Sequence, residues 1–124
     1  MSLIVVVSFA QTNDAGGDIF NDVRLAIKTG SSKELAKHLN SRIELVIQGD
    51  QSSYSKTQAE FVLKDFFQRH PPTSFEYIHK GSSKDGLMYA IGKYSYSGGS
   101  FRVVLRSKKF GADNKIYNLD FTED

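Results

Sequence analysis

The alternation of apolar and polar residues is clearest in residues 55–70, where apolar positions recur at the spacing of one helical face. This spacing predicts an amphipathic helix, the central helix of the chain. Ser55 and Gln58 match a capping box, in which each side chain bonds the other residue's backbone amide. Pro71 disfavours helical backbone at His70 and therefore ends the helix. The apolar face consists of Ala59, Val62, Leu63, Phe66 and Phe67.

Two shorter helices are predicted ahead of the central one. The first covers residues 19–29, with Asp18 as its cap, and the glycine after it suits the left-handed backbone of a helix end. The second begins at a capping box formed by Ser31 and Glu34 and ends near Asn40. Both have apolar side chains on one side, so we expect both to pack against another layer.

The remaining pattern predicts strands. Residues 43–48, IELVIQ, are rich in β-branched side chains and predict one strand, followed by a polar loop at residues 49–54. Short glycine-containing turns divide the part after the prolines, so its strands should be antiparallel neighbours. Helices that cover one face of this sheet would give a two-layer α+β domain. The four strands lie at residues 74–80, 87–97, 101–109 and 115–122.

Apolar alternation predicts which strand residues form the core. In the last strand Tyr117, Leu119 and Phe121 alternate with polar residues and should share one face. The preceding strand has a similar row, and we expect both rows to pack against Phe66 and Phe67. That second row consists of Phe101, Val103 and Leu105.

Composition limits the range of functions. A chain of 124 residues with 40% hydrophobic residues fits one globular domain. The net charge of +2, from 16 basic and 14 acidic residues, does not favour a nucleic-acid partner. The absence of cysteine excludes disulfides, thiolate metal sites and cysteine nucleophiles. His38, His70 and His79 lack metal-ligand spacing, so no metal or other cofactor is predicted.

The N-terminal segment predicts export. An apolar run ends in Ser8-Phe9-Ala10-Gln11, which resembles the end of a signal peptide followed by a small-x-small cleavage site. We therefore predict a signal-peptide remnant or tag at residues 1–11, a linker at 12–17, one domain at 18–124, and a periplasmic or extracellular location. The alternative is a short first strand, since residues 5–7 are all valine. No other run approaches the ~20 apolar residues that span a bilayer.

The order of elements resembles the nuclear transport factor 2-like superfamily, also described as a cystatin-like cone. The stretch from Tyr54, YSKTQAEFVLKDFFQRHPPTSFEYIHKGSSKDGLMYAIGKY, is similar to a family of exported bacterial domains with no assigned function. The resemblance covers residues 18–121 and implies a strongly curved sheet that wraps a long helix, with a pocket at the wide end. Relatives include isomerase-like and dehydratase-like enzymes, non-catalytic binding modules and assembling domains. The catalytic tyrosine and paired aspartates of an isomerase cannot be aligned here, so no catalytic residue is assigned.

Aromatic residues supply the candidate pocket. Phenol hydroxyls on a curved sheet can line an apolar pocket for a small apolar or amphipathic ligand. The alternative is that they are half-buried sheet residues with no ligand role. For an enzyme, Asp50, Tyr54 and Tyr77 are the candidates near the mouth. The candidate pocket residues are Tyr54, Phe66, Tyr77, Tyr94, Tyr96 and Tyr117.

A basic surface is predicted on one strand, where Arg102, Arg106 and Lys108 alternate, and Lys93 extends it on the neighbouring strand. It is either a solvated outer face or a contact for an acidic partner. The resemblance also implies that this outer face can form a homodimer, which would need acidic residues opposite the cations. The sequence thus favours a non-catalytic small-ligand-binding or protein-interaction domain, with an isomerase- or dehydratase-like enzyme on a small cyclic substrate as the alternative.

Overall fold

The computed structural model describes residues 15–83 and 85–124, with side chains from Ile19 onward. The predicted signal-peptide remnant and residues 12–14 of the predicted linker lie outside the described residues. The helices are α1 (Ala15–Lys28), α2 (Ser32–Ala36) and α3 (Lys56–Arg69). The strands are β1 (Leu39–Ile47), β2 (Asp50–Ser55), β3 (Pro72–Ser82), β4 (Met88–Tyr96), β5 (Gly99–Phe110) and β6 (Asp113–Glu123). The predicted α+β class is confirmed.

The central helix α3 has both of the ends that its sequence predicts. Ser55 Oγ accepts a hydrogen bond from the Gln58 amide at 3.1 Å, and Gln58 Oε1 accepts one from the Ser55 amide at 3.0 Å. At the other end the His70 amide donates to the Phe66 carbonyl at 2.9 Å, and β3 begins at Pro72. The two ends of the helix are therefore set by local interactions.

The six strands form one open, curved sheet in the order β2-β1-β6-β5-β4-β3. The predicted antiparallel meander from β3 to β6 is confirmed. The pair β1–β6 is parallel, with Leu45 beside Leu119 and Glu44 beside Asn118. This pairing joins the N-terminal hairpin to the last strand, so residues far apart in sequence share one face of the sheet.

Three boundaries differ from the sequence prediction. The predicted polar loop at 49–54 is instead the strand β2, which pairs with β1 from Arg42 to Ile47. Helix α2 ends at Ala36 because the chain extends at Leu39 to pair with Ile116 of β6. Helix α1 begins at Ala15, ahead of the predicted start. Strand pairing decides the first two boundaries, with the neighbouring β1 in the first case and with the distant β6 in the second, and the polar and apolar pattern of these residues does not show it.

The core lies between the sheet and the helices α1 and α3. The inner-facing residues of β5 are fully buried, while the intervening Arg102 and Arg106 are exposed. One of the buried residues, Ser107, has a hydroxyl without a hydrogen-bond partner among the described residues, an arrangement that costs about 1–3 kcal/mol. The inner-facing residues of β5 are Phe101, Val103, Leu105 and Ser107.

A β-bulge in the β5–β6 pair changes the predicted alternation of the last strand. Arg106 pairs with Asn118, but Ser107 pairs with Ile116, so Tyr117 is the extra residue. Ile116 therefore takes the buried position that alternation assigns to Tyr117. Leu119 and Phe121 are buried as predicted.

Candidate functional site

The space between α3 and the sheet is filled by aromatic side chains. Phe66 is 3% exposed and Tyr94 is fully buried. The Phe66 ring centroid lies 4.5 Å from that of Phe121, 5.1 Å from that of Phe101 and 5.6 Å from that of Tyr94. Three predicted pocket residues, Phe66, Tyr94 and Tyr96, are thus brought together as a packed cluster around Phe101.

Two phenol hydroxyls among the predicted pocket residues already donate hydrogen bonds to backbone carbonyls. The Tyr94 hydroxyl donates a hydrogen bond to the His70 carbonyl, and the Tyr77 hydroxyl donates one to the Phe20 carbonyl at 2.6 Å. Burial raises the pKa of both phenols, so both remain neutral donors near neutral pH. These hydrogen bonds link the sheet to the end of α3 and to α1. The hydroxyl proton of Tyr77, an enzyme candidate, is already engaged by the Phe20 carbonyl.

Tyr96 completes the cluster at the C-terminal end of α3. Its ring stacks on Phe101 with centroids 5.5 Å apart and meets His70 edge-on at 5.0 Å. His70 Nδ1 lies 3.0 Å from the Phe66 carbonyl. The histidine therefore has a structural position, between the helix end and the aromatic cluster.

Tyr54 and Tyr117 lie away from this cluster. Tyr54, on β2, lines a hollow of about 190 Å³ beside α3, together with Asp50 and Ser52. Tyr117, at the bulge, has its ring 5.0 Å from Lys108 Nζ. The six predicted pocket residues therefore do not line one cavity, and the enzyme candidates Asp50 and Tyr54 share the hollow beside α3.

A wider hollow of about 530 Å³ lies between α1 and α2 and was not predicted. Its lining includes Asp22, Leu25, Thr29 and His38. Burial lowers the pKa of His38, and Lys115 and Lys37 lower it further, whereas Asp22 and Glu34 oppose the shift. A neutral histidine in an open groove of mixed charge does not define a reaction. The sequence shows no motif there because the lining comes from two helices.

The predicted basic residues lie on the outer face of the sheet, the face turned away from α1 and α3. Arg102, Arg106 and Lys108 are all exposed. Arg106 Nη1 donates to Asn118 Oδ1 at 2.8 Å, and Asn118 Nδ2 donates to Glu44 Oε1 at 3.1 Å. Arg106 is therefore linked through an amide to a carboxylate two strands away.

The outer face also has acidic residues; alternation along the last strand predicts Asp120 there, but sequence reasoning missed Glu44. Asp120 of β6 is paired with Val104 of β5, between Arg102 and Arg106, and Glu44 of β1 is paired with Asn118, two residues before Asp120. On the outer face, β4 and β5 thus have only cationic charges, and we call them the cationic half; the carboxylates lie on β6 and β1, which we call the acidic half. The cationic half is Lys93, Arg102, Arg106 and Lys108; the acidic half has the carboxylates of Glu44 and Asp120, and it also has two cations, Arg42 and Lys115, at the end nearest the β5–β6 hairpin.

Between these charges an apolar row crosses the middle of the outer face. Val46, Val104 and Ile91 lie on β1, β5 and β4 in the same row as Asp120, and each is only half-buried. Side chains on a sheet face pack with their cross-strand neighbours. The row therefore places apolar side chains on both sides of Asp120.

Residues 15–83 and 85–124 contain neither a metal-binding cluster nor a helix that could span a membrane. Within these ranges, no three histidine, aspartate or glutamate side chains come close enough to hold a metal ion. The helices in the same ranges are all too short or too polar to cross a bilayer.

Comparison with known proteins finds a matching family and solved structures with a similar fold. The model of a family described as a domain of unknown function, DUF4783, matches residues 20–122. A DUF4783 family protein from Bacteroides uniformis is 30% identical, with 84% of this chain and 95% of that chain covered at a TM-score of 0.79. One from Bacteroides ovatus is 29% identical, with 83% and 93% covered and the same TM-score of 0.79.

A more distant structure supports the same architecture. It is an NTF-2 like protein of unknown function from Silicibacter pomeroyi, which is 10% identical and covers 92% of this chain and 97% of its own, at a TM-score of 0.64. At that identity the likeness concerns the fold alone. Among curated proteins there is no match.

Proposed function

Because the chain belongs to the DUF4783 family, a domain family of unknown function with a nuclear transport factor 2-like fold, we propose that it is a non-catalytic protein-interaction domain. We propose further that it associates with a second copy of itself through the outer face of the sheet. One observation carries the proposal: aromatic rings fill the space between α3 and the centre of the sheet, whereas the outer face has apolar side chains, only cations on β4 and β5, and its carboxylates on β6 and β1.

The charge arrangement is suited to a symmetric pair. In a twofold dimer the same patch is used by both copies, so it must be complementary to itself. A twofold axis parallel to the strands, between β5 and β6, brings the cationic half of one copy against the acidic half of the other. Asp120 of each copy then faces the region between Arg102 and Arg106 of its partner. Carboxylates are thus present opposite Arg102 and Arg106 of the predicted basic surface, whereas Lys108 faces Lys115 of the partner copy.

The apolar row supplies the contact at the centre. Packed sheets lie about 10 Å apart, a distance that arginine and lysine side chains can bridge. Val46, Val104 and Ile91 would then lose their remaining exposure to water, while the charges around them fix the register of the two copies. Added salt should weaken such a dimer, because its charged rim is screened.

A charge-swap experiment tests this pairing. A cationic copy, Asp120→Arg, and an acidic copy, Lys93→Asp with Arg102→Asp, should each be monomeric alone because like charges meet across the axis. Mixed in equal amounts, the two copies should form a heterodimer, detected by size-exclusion chromatography with light scattering. These substitutions leave the Arg106–Asn118–Glu44 hydrogen bonds in place.

The matched control for the acidic copy makes the same change in net charge elsewhere. Lys33 and Lys64 are exposed on α2 and α3, away from the sheet, and Lys33→Asp with Lys64→Asp should remain dimeric. A mixture of the charge-swapped copies that stays monomeric would contradict the proposed pairing. So would dimers that form with either swapped copy alone.

We also propose that the domain acts outside the cytoplasm. Support comes from residues 1–11, whose apolar run and Ser-Phe-Ala sequence are typical of the end of a signal peptide. The mature chain is then expected to begin at Gln11, and N-terminal sequencing of the protein isolated from its host checks this. A chain that retains Val5–Ala10 would exclude cleavage at this site.

A further inference from the structure

The strand β2 breaks the usual pattern of a strand that faces a core. Asp50, Ser52 and Tyr54 pair with Ile47, Leu45 and Ile43 of β1, so they share the inner side of the sheet with these residues. On β1 the inner positions are apolar, whereas on β2 all three are polar. Positions that break a local folding rule are expected where function requires it.

These polar groups border a hollow with an apolar wall. Leu45 and Ile47 form one part of it, and Val62 of α3 forms another. Its volume is about 190 Å³, which corresponds to roughly six water molecules at ~30 Å³ each. Only a molecule of a few non-hydrogen atoms fits, smaller than the ligands of typical pockets of ~300–1,000 Å³.

The charge in this hollow is negative. Asp50 contributes a carboxylate, and the lining contains no lysine, arginine or histidine. None of the ion pairs found among the described residues involves Asp50. Ser52 and Tyr54 add hydroxyl groups, which accept as well as donate hydrogen bonds. A ligand here must therefore bring positive charge and donors at one end and an apolar chain at the other.

We propose that this hollow, formed by Asp50, Ser52 and Tyr54 over Leu45, Ile47 and Val62, binds a small primary ammonium compound with a short apolar chain. The ammonium group contacts the Asp50 carboxylate and the two hydroxyls, and the chain lies against the apolar wall. The site is on the inner side of β2, opposite the outer face assigned to self-association. It goes beyond the proposed dimer, and either can fail without the other.

An NMR titration with n-butylammonium tests the site, and butanoate serves as an anionic ligand of similar length. We expect n-butylammonium to give saturable shifts in the amide resonances of residues 45–54 and of Val62. Butanoate should give none, because the carboxylate of Asp50 repels it. Asp50→Asn should weaken n-butylammonium binding at least tenfold, since it removes the charge and keeps the size.

The control Asp113→Asn removes the same charge at the opposite end of the sheet, in the β5–β6 hairpin, and should leave binding unchanged. The proposal is overturned if Asp50→Asn binds n-butylammonium as well as the unmodified protein does. It is equally overturned if butanoate produces the same shifts, or if the shifts fall outside the hollow. We expect the dimer in every one of these samples. Whether the dimer forms is recorded separately from whether n-butylammonium binds.

Discussion

Replacing Phe66 with alanine is expected to lower the free energy of unfolding by about 3–5 kcal/mol. The ring is 3% exposed and packs against Phe101, Phe121 and Tyr94 at centroid distances of 4.5–5.6 Å. Its removal takes away the apolar area that it buries and leaves a cavity between α3 and the sheet, and both effects destabilise. Urea denaturation measures the change as a lower midpoint with an unchanged slope.

The same helix supplies the control for Phe66. Phe61 also lies on α3 but is 67% exposed, so Phe61→Ala should change stability by no more than about 0.5 kcal/mol. The milder Phe66→Leu should show a smaller loss in the same direction and covers the case in which the alanine variant does not fold. Equal effects at the two positions would show that the interior is not filled by the aromatic cluster.

Replacing Gly92 with alanine is expected to destabilise the fold by about 1–3 kcal/mol, the usual range for an overpacked core. Gly92 is paired with Tyr77 on β3 and with Val103 on β5, in the middle of the sheet. A Cβ atom there would lie 2.7 Å from Cε1 of Phe75, 2.8 Å from its Cζ and 3.0 Å from the Glu76 carbonyl oxygen. The Phe75 ring is fully buried and lies against the glycine, so a new methyl group there must displace part of the core.

A double-mutant cycle separates this clash from other effects of the substitution. Phe75→Leu alone should destabilise because it removes part of a buried ring. Combined with Gly92→Ala, it should destabilise by less than the sum of the two single changes, since the shorter side chain leaves room for the new methyl group. Additive losses would mean that Phe75 is not what opposes a side chain at position 92.

The parts of the fold that the sequence predicts well are those with local causes. The capping box at Ser55 and the prolines after His70 act within a few residues, and α3 has the ends that they specify. Strand β2 was missed because its inner positions are Asp50, Ser52 and Tyr54, which give no apolar alternation. The bulge that moves Tyr117 out of the inner row depends on pairing with β5 and has no marker in the sequence.

The candidate site was harder to predict for two physical reasons. Phenylalanine and tyrosine side chains can line a cavity or fill it, and only packing shows that Phe66, Tyr94 and Tyr96 fill it. The acidic half of the outer face depends on the parallel pairing of β1 with β6, which brings Glu44 next to Asn118. The basic residues Arg102, Arg106 and Lys108 lie on one strand and were therefore visible from alternation alone.

The central proposal is that the domain associates with a second copy through the outer face of its sheet. Sedimentation equilibrium of the unmodified protein tests it most directly, over a series of concentrations across the micromolar range at low and high salt. The proposal predicts a mass of twice 13.9 kDa at low salt, shifting toward the monomer as salt is added. A mass of 13.9 kDa at every concentration and salt level would contradict it.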